Sequence, residues 1–161
     1  MSPDPDVSPS LFRELLGRFA TGVTVITVQD DDGEPRGMTA SSLASVSLNP
    51  PLVSVCIEDC ATLHDLLVHA PLHALNVLAE EQEELSRRFA APNITPFDGV
   101  GYHTTKRGLI LLDGAIAHIE CRLEATHTAG DHTILIGRVI GGAAHDRRPL
   151  LYFRGGYASL G

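Results

Sequence analysis

AIAHIECRLEATHT (115–128), the triplet Ala129-Gly130-Asp131, and HTILIGRVIGGA (132–143) form the two longest strand-like runs of the chain around a turn. Apolar and β-branched residues recur along both arms. The Gly-Asp pair supplies the backbone freedom and local side-chain hydrogen bonding that a tight connection needs. The stretch reads as a β-hairpin, and it sets an antiparallel β fold.

The surrounding segments extend this reading. Toward the C-terminus the chain closes with Pro149-Leu-Leu-Tyr-Phe-Arg-Gly-Gly-Tyr157. Toward the N-terminus, residues 91–108 read as irregular. Glu80 to Ala90 reads as a helix, with acids in its first turn and Arg87-Arg88 in its last, the order the helix dipole favours. His73 to Ala79 reads as a strand, Ala61 to His69 as a helix and Leu52 to Ile57 as a short apolar strand. Asn49-Pro50-Pro51 is a rigid break, because proline removes donors and restricts its predecessor. Gly37 to Ser47 reads as one strand, Gln29 to Arg36 as a turn and Val23 to Val28 as a β-branched strand. Ser8-Pro9 starts a helix as N-cap and first helical residue, with Leu11, Leu15, Leu16 and Phe19 at helical spacing and Gly22 as its end. Residues 1–8 are expected to be a flexible tail and 9–161 one domain. Strands dominate and helices are peripheral, which predicts a mainly β barrel or sandwich rather than a doubly wound sheet.

Composition narrows the partners. Of 161 residues, 12 are basic and 20 acidic, for a net charge of −8, and there is no tryptophan. This argues against a nucleic-acid backbone or an anionic membrane as the main partner. Three cysteines at no disulfide spacing read as free thiols in a reducing compartment, and no signal peptide or membrane-length apolar run appears, so a cytoplasmic location is expected.

Three segments carry candidate chemistry. GMTASSLASVS (37–47) is rich in small hydroxyl residues, which let a flat ligand approach the backbone closely; an exposed polar edge strand has the same pattern. Glu58-Asp-Cys-Ala-Thr62 lies between a strand and a helix, where free N–H groups hold a phosphate; a simple Asp59 or Thr62 cap is the alternative. Gly130-Asp131-His132 offers an acid or hydrogen-bond donor at a hairpin turn, and a plain turn is the alternative. No metal site is expected: Cys56, Cys60 and His64 straddle a strand and a helix and lack zinc spacing. Gly99-Val-Gly101 lacks the third glycine of a dinucleotide fingerprint, so any nicotinamide cofactor binds without a Rossmann unit.

Taken in order, these segments resemble the flavin reductase-like family, the FMN-binding split-barrel reductases. The likeness runs from Phe12 to Tyr157. It is carried by FATGVTVIT (19–27), GMTASSLASVSLNPPL (37–52), Leu75-Asn-Val-Leu78 with Glu81-Gln82, LSRRFA (85–90), Gly130-Asp-His132, Pro149-Leu-Leu-Tyr152 and Gly155-Gly-Tyr157. The resemblance implies an antiparallel six-stranded Greek-key split barrel, homodimeric, with flavin near the subunit interface. It implies that Thr39, Ala40, Ser41 and Ser42 line the flavin ring, with Ser47 nearby. Glu58, Cys60, Ala61 and Thr62 would hold the ribityl phosphate. Arg88 and Phe89 would pair with or cover the flavin, and His132 and Tyr157 would lie on the nicotinamide side. The implied activity is hydride transfer from NADH or NADPH to FMN or FAD, supplying a partner monooxygenase. A non-catalytic flavin-binding or sensor protein on the same barrel is the alternative. Cys60 and Glu58 depart from the family pattern, since a thiol donates more weakly than the usual serine and a carboxylate repels phosphate.

Overall fold

The computed structural model describes residues 4–92 and 96–161. Its first helix, α1 (Pro9–Gly17), is capped by Ser8, whose hydroxyl accepts from the Leu11 N–H at 3.2 Å. The helix ends five residues before the expected Gly22. Thr21–Gly22 forms a short strand instead (β1), paired with Tyr152 and Leu151, so a tertiary ladder takes residues whose local pattern continues the helix.

The strands that follow are β2 (Thr24–Gln29), β3 (Pro35–Ala40), β4 (Ala44–Leu48) and β5 (Pro51–Glu58). Helix α2 (His64–His69) leads into β6 (Leu72–Val77), and a 3-10 turn at Glu80–Gln82 opens α3 (Glu83–Ala90). Then come β7 (Tyr102–Thr104), β8 (Ile110–Leu112), the long pair β9 (Ala117–Ala129) and β10 (His132–Ala144), and the terminal β11 (Leu151–Phe153) and β12 (Gly156–Ala158). The β7–β8 hairpin lies partly in the stretch expected to be irregular. It forms because the apolar residues Leu109 to Leu112 dock on the outside of β2 and β6.

The hairpin is where the sequence placed it. His132 pairs with Ala129, Gly130 takes a positive φ of 62°, and two bulges interrupt the ladder near Gly137 and Gly141. Gly137 is closely packed there: a Cβ would sit 3.1 Å from the Cys121 Cβ and 3.3 Å from the His73 Nε2.

The main sheet has seven antiparallel strands in the order β3-β2-β6-β9-β10-β5-β4, not six. Its two edges are consecutive in the chain. Laid flat, six spacings of about 4.8 Å would separate β3 from β4 by about 29 Å. The chain crosses from Ala40 to Ala44 in four residue steps, which reach about 14 Å at most. The sheet is therefore rolled until its edges approach. The expected single strand from Gly37 to Ser47 is broken at Ser41–Leu43, where the chain passes from one edge to the other.

The interior of the roll is apolar, with Ile26, Val28, Val55, Ile57, Leu75 and Leu135 buried together. The outer face of β2 is also covered, because α3 and β8 pack on it through Phe89, Val25, Leu78 and Leu112. Polar groups in this layer are paired. Thr27 donates to the Ile110 carbonyl at 2.6 Å, and Asn76 donates to the Val25 carbonyl and accepts from the Leu112 N–H. Asn76 therefore ties three strands together without leaving a buried polar atom bare.

Candidate functional site

The candidate residues fall into two groups. The first gathers at the turn of the long hairpin. The Asp59 N–H donates to the Asp131 carbonyl at 2.9 Å, and His132 lies in register opposite Glu58. The loop expected to hold a phosphate and the Gly-Asp-His turn are thus one structure. Asp59 does not cap the next helix. Its carboxylate accepts from the Thr133 hydroxyl at 3.0 Å, and His64 Nε2 reaches the same hydroxyl at 2.8 Å. Thr62 does not cap α2 either; its N-cap is Leu63, with no side-chain bond. Among the described residues, the N–H groups of Cys60, Thr62 and Leu63 have no backbone acceptor, so the loop keeps donors to offer.

Electrostatics in this group follow from the contacts. His132 Nδ1 sits 2.7 Å from an Asp131 carboxylate oxygen, which can only accept, so Nδ1 carries the hydrogen, and Nε2 has no hydrogen-bond partner among the described residues. The same hydrogen bond holds the Asp131 carboxyl below its ordinary pKa. The hydrogen bond and negative charge of Glu58 push the Cys60 thiol above its ordinary value, so Cys60 stays a thiol.

The segment from Thr39 to Ser47 spans the crossing between sheet edges. Ala40 ends β3, and Ser41 is exposed in the link. Ser42 is committed to structure: its hydroxyl accepts from the Cys56 N–H at 2.9 Å and donates to the Cys56 carbonyl at 3.2 Å, pinning the link to β5. Ser47 follows a bulge in β4. Both β3 and β4 are edge strands of the main sheet, so each presents unpaired backbone groups on its outer side. That donor set suits the carbonyl and ring-nitrogen acceptors of a flat heterocycle.

The second group surrounds α3. Thr39 donates to the Ser86 carbonyl at 2.7 Å, and the Ser86 hydroxyl bonds the Tyr157 hydroxyl at 2.7 Å. The Arg87 guanidinium lies 4.7 Å over the Tyr157 ring and is held by Glu83, while Tyr152 meets that ring edge-on at 5.5 Å. Tyr157, Arg87, Tyr152 and Gly156 line a cleft of about 360 Å³. Arg88 lies apart from this cleft. It lines a second one of about 310 Å³ with Glu81, Glu84 and Asp113, and donates to the Asp98 carbonyl. Phe89 is 4% exposed and buried against Gly37, Val25 and Phe97. Within the chain its ring fills the core beneath β3, so it supports the Thr39 strand from behind and presents no open face to a ligand.

Sequence reasoning missed Ser86 and Thr133. A serine inside a helix and a threonine inside a strand carry no local mark that separates them from ordinary positions, and only the packing of α3 and α2 gives them partners.

Comparison with known proteins supplies the family. A model described as the flavin reductase like domain matches residues 16–161. An NADH-dependent flavin reductase from a Rhodococcus species is 40% identical over 159 residues, covering 98% of this chain and 89% of that protein. The reductase subunit of a flavin-dependent monooxygenase from Rhodococcus jostii is 39% identical, covering 96% of this chain and 79% of the relative. The solved structure of a Streptomyces globisporus NADH:FAD oxidoreductase, in complex with NAD and FAD fragments, superposes with a TM-score of 0.90 at 39% identity, covering 98% of this chain and 97% of that one. The match runs through the rolled sheet, the hairpin turn and the α3 cleft alike, and the chain belongs to the flavin reductase-like family.

Proposed function

We propose that this chain is an NADH-dependent flavin reductase that delivers reduced flavin to a partner monooxygenase. The observation that carries the reading is the family match along residues 16–161, together with relatives named for that activity. Flavin, when bound, would supply the two-electron chemistry of hydride transfer.

The chain's own residues would bind and orient. Backbone N–H groups along Thr39 to Ser42 would face the flavin ring and favour negative charge on it. The free N–H groups of Cys60 and Thr62, with Ala61 between them, would take the ribityl phosphate, with Glu58 opposing that charge. His132, oriented by Asp131, would hold the nicotinamide through Nε2, and Tyr157 would flank it from the α3 cleft. Holding the two rings together turns a collision into a positioned reaction. Arg88 and Ser47 would contact the flavin from the margins.

We read the rolled sheet as the split barrel of the family, residues 9–161 as one reductase domain and the active form as a homodimer. Support for the dimer is an uncovered apolar surface. Helix α1 buries none of its residues, and Phe19 beyond its end is 74% exposed. On β4, Leu48 is 91% exposed. A second copy lying over α1 and β4 would cover this surface and wall the otherwise open Thr39–Ser47 segment. The three unpaired cysteines suit a cytoplasmic setting.

NADH oxidation followed by absorbance, with FMN, with FAD and with neither, tests the reading. Turnover dependent on one flavin supports it and selects the flavin. Flavin binding without turnover from NADH or NADPH would favour a sensor or storage role.

A further inference from the structure

We propose that Ser86 is a positioning residue for nicotinamide binding, which fixes the Tyr157 phenol at the α3 cleft while its backbone carbonyl anchors Thr39 on the flavin side. The inference rests on the reading that Tyr157 flanks the nicotinamide.

Ser86 lies in the interior of α3 and is fully buried. Serine is a poorer helix former than alanine, and a buried hydroxyl is costly unless it is hydrogen-bonded. A helical serine can satisfy itself on a carbonyl one turn back. Here its hydroxyl bonds the Tyr157 hydroxyl at 2.7 Å instead, across 71 residues of chain. The same residue's carbonyl takes the Thr39 hydroxyl at 2.7 Å. Ser86 therefore joins strand β3, helix α3 and strand β12 at one point.

The surroundings fix the phenol in one pose. Arg87, the next residue of α3, lies over the Tyr157 ring and is itself pinned by two hydrogen bonds to Glu83. The bond from Ser86 sets where the hydroxyl end of the ring points, and the guanidinium holds its face. Without the Ser86 hydroxyl the ring keeps its packing but loses the bond that orients it. The Thr39 contact uses a backbone atom and survives side-chain truncation. This division gives the proposal a distinctive signature.

The test compares Ser86→Ala, Tyr157→Phe, the double variant of these two and Tyr157→Ala in steady-state NADH oxidation with saturating flavin, alongside flavin affinity and thermal melting. Ser86→Ala is expected to raise the KM for NADH about fivefold to tenfold, the worth of one ordinary hydrogen bond. Flavin affinity should stay within about twofold, because the Thr39 bond is intact. Tyr157→Phe removes the same bond from its other end and leaves the helix untouched. The double variant should be no worse than the poorer single one, since both delete one interaction. Additive losses, or an unchanged KM in Ser86→Ala while Tyr157→Ala raises it, would overturn the positioning role. An unchanged KM in Tyr157→Ala would instead remove the nicotinamide reading on which it rests.

Discussion

The His132 ring nitrogen Nδ1 stands 2.7 Å from the Asp131 carboxylate at the turn of the long hairpin, and the Asp131 carbonyl accepts from the Asp59 N–H of the neighbouring loop. One aspartate thus orients the imidazole with its side chain and fastens the loop with its backbone. Adjacent residues of a tight turn couple the two segments proposed to bind nicotinamide and phosphate.

That coupling predicts unequal losses. His132→Ala should lower flavin-dependent NADH turnover by about tenfold or more, since it removes the Nε2 contact itself. Asp131→Asn leaves the loop bond and a weaker partner for Nδ1, and should cost less. Steady-state kinetics of both variants check this; turnover within about twofold of the parent in His132→Ala would retire its role.

Cys60→Ser should tighten flavin binding. A serine hydroxyl is a better donor than a thiol held protonated by Glu58. The expected gain is about threefold to tenfold in the dissociation constant, of the size of one modest hydrogen bond. Fluorescence titration with FMN and FAD measures it, and an unchanged affinity would place Cys60 away from the phosphate.

His73 predicts an acid-sensitive core. It is buried beside Cys121 with Nδ1 unpartnered, and burial pushes its pKa down to about 4 from 6.5. Between those values the unfolded chain binds a proton that the folded chain refuses. The stabilisation is fully present above the unfolded value and is lost as pH falls from about 6.5 toward about 4. The loss amounts to about 3 kcal/mol. Urea unfolding at neutral pH and near the lower value, on the parent and His73→Leu, should show that the variant loses less stability over this window.

Gly37→Ala tests the packing beneath β3. A Cβ there would meet the Phe89 ring at 2.9 Å and the Ile26 carbonyl at 3.1 Å. Overpacking of this kind costs about 1–3 kcal/mol, so the melting temperature should fall. An unchanged melting temperature would mean that the ring yields freely.

The dimer reading is tested on α1. Leu15→Glu places a charge on its uncovered apolar face and should shift sedimentation from dimer toward monomer, with weakened flavin binding. A parent that sediments as a monomer would overturn the reading.

Local pattern was enough for much of this molecule. The β-branched run before Val28, the Gly130-Asp131 turn and the Ser8-Pro9 helix start are written in adjacent residues, because backbone propensity and turn chemistry act over a few positions. The order of motifs from Phe12 to Tyr157 also made the family legible. Other features depended on partners far away in the chain. Gly37 to Ser47 reads as one strand, yet it breaks at Ser41–Leu43 because closing a seven-stranded roll needs a corner there. Phe89 reads as a ligand contact, yet α3 drives it into the core. Ser86 reads as an ordinary helical serine until Thr39 and Tyr157 arrive on either side of it. Adjacent residues specified most of the element types and the chemistry on offer. Tertiary structure decided which hydroxyls, N–H groups and rings stand together, because the contacts that commit them join residues tens of positions apart and are set by how the sheet rolls.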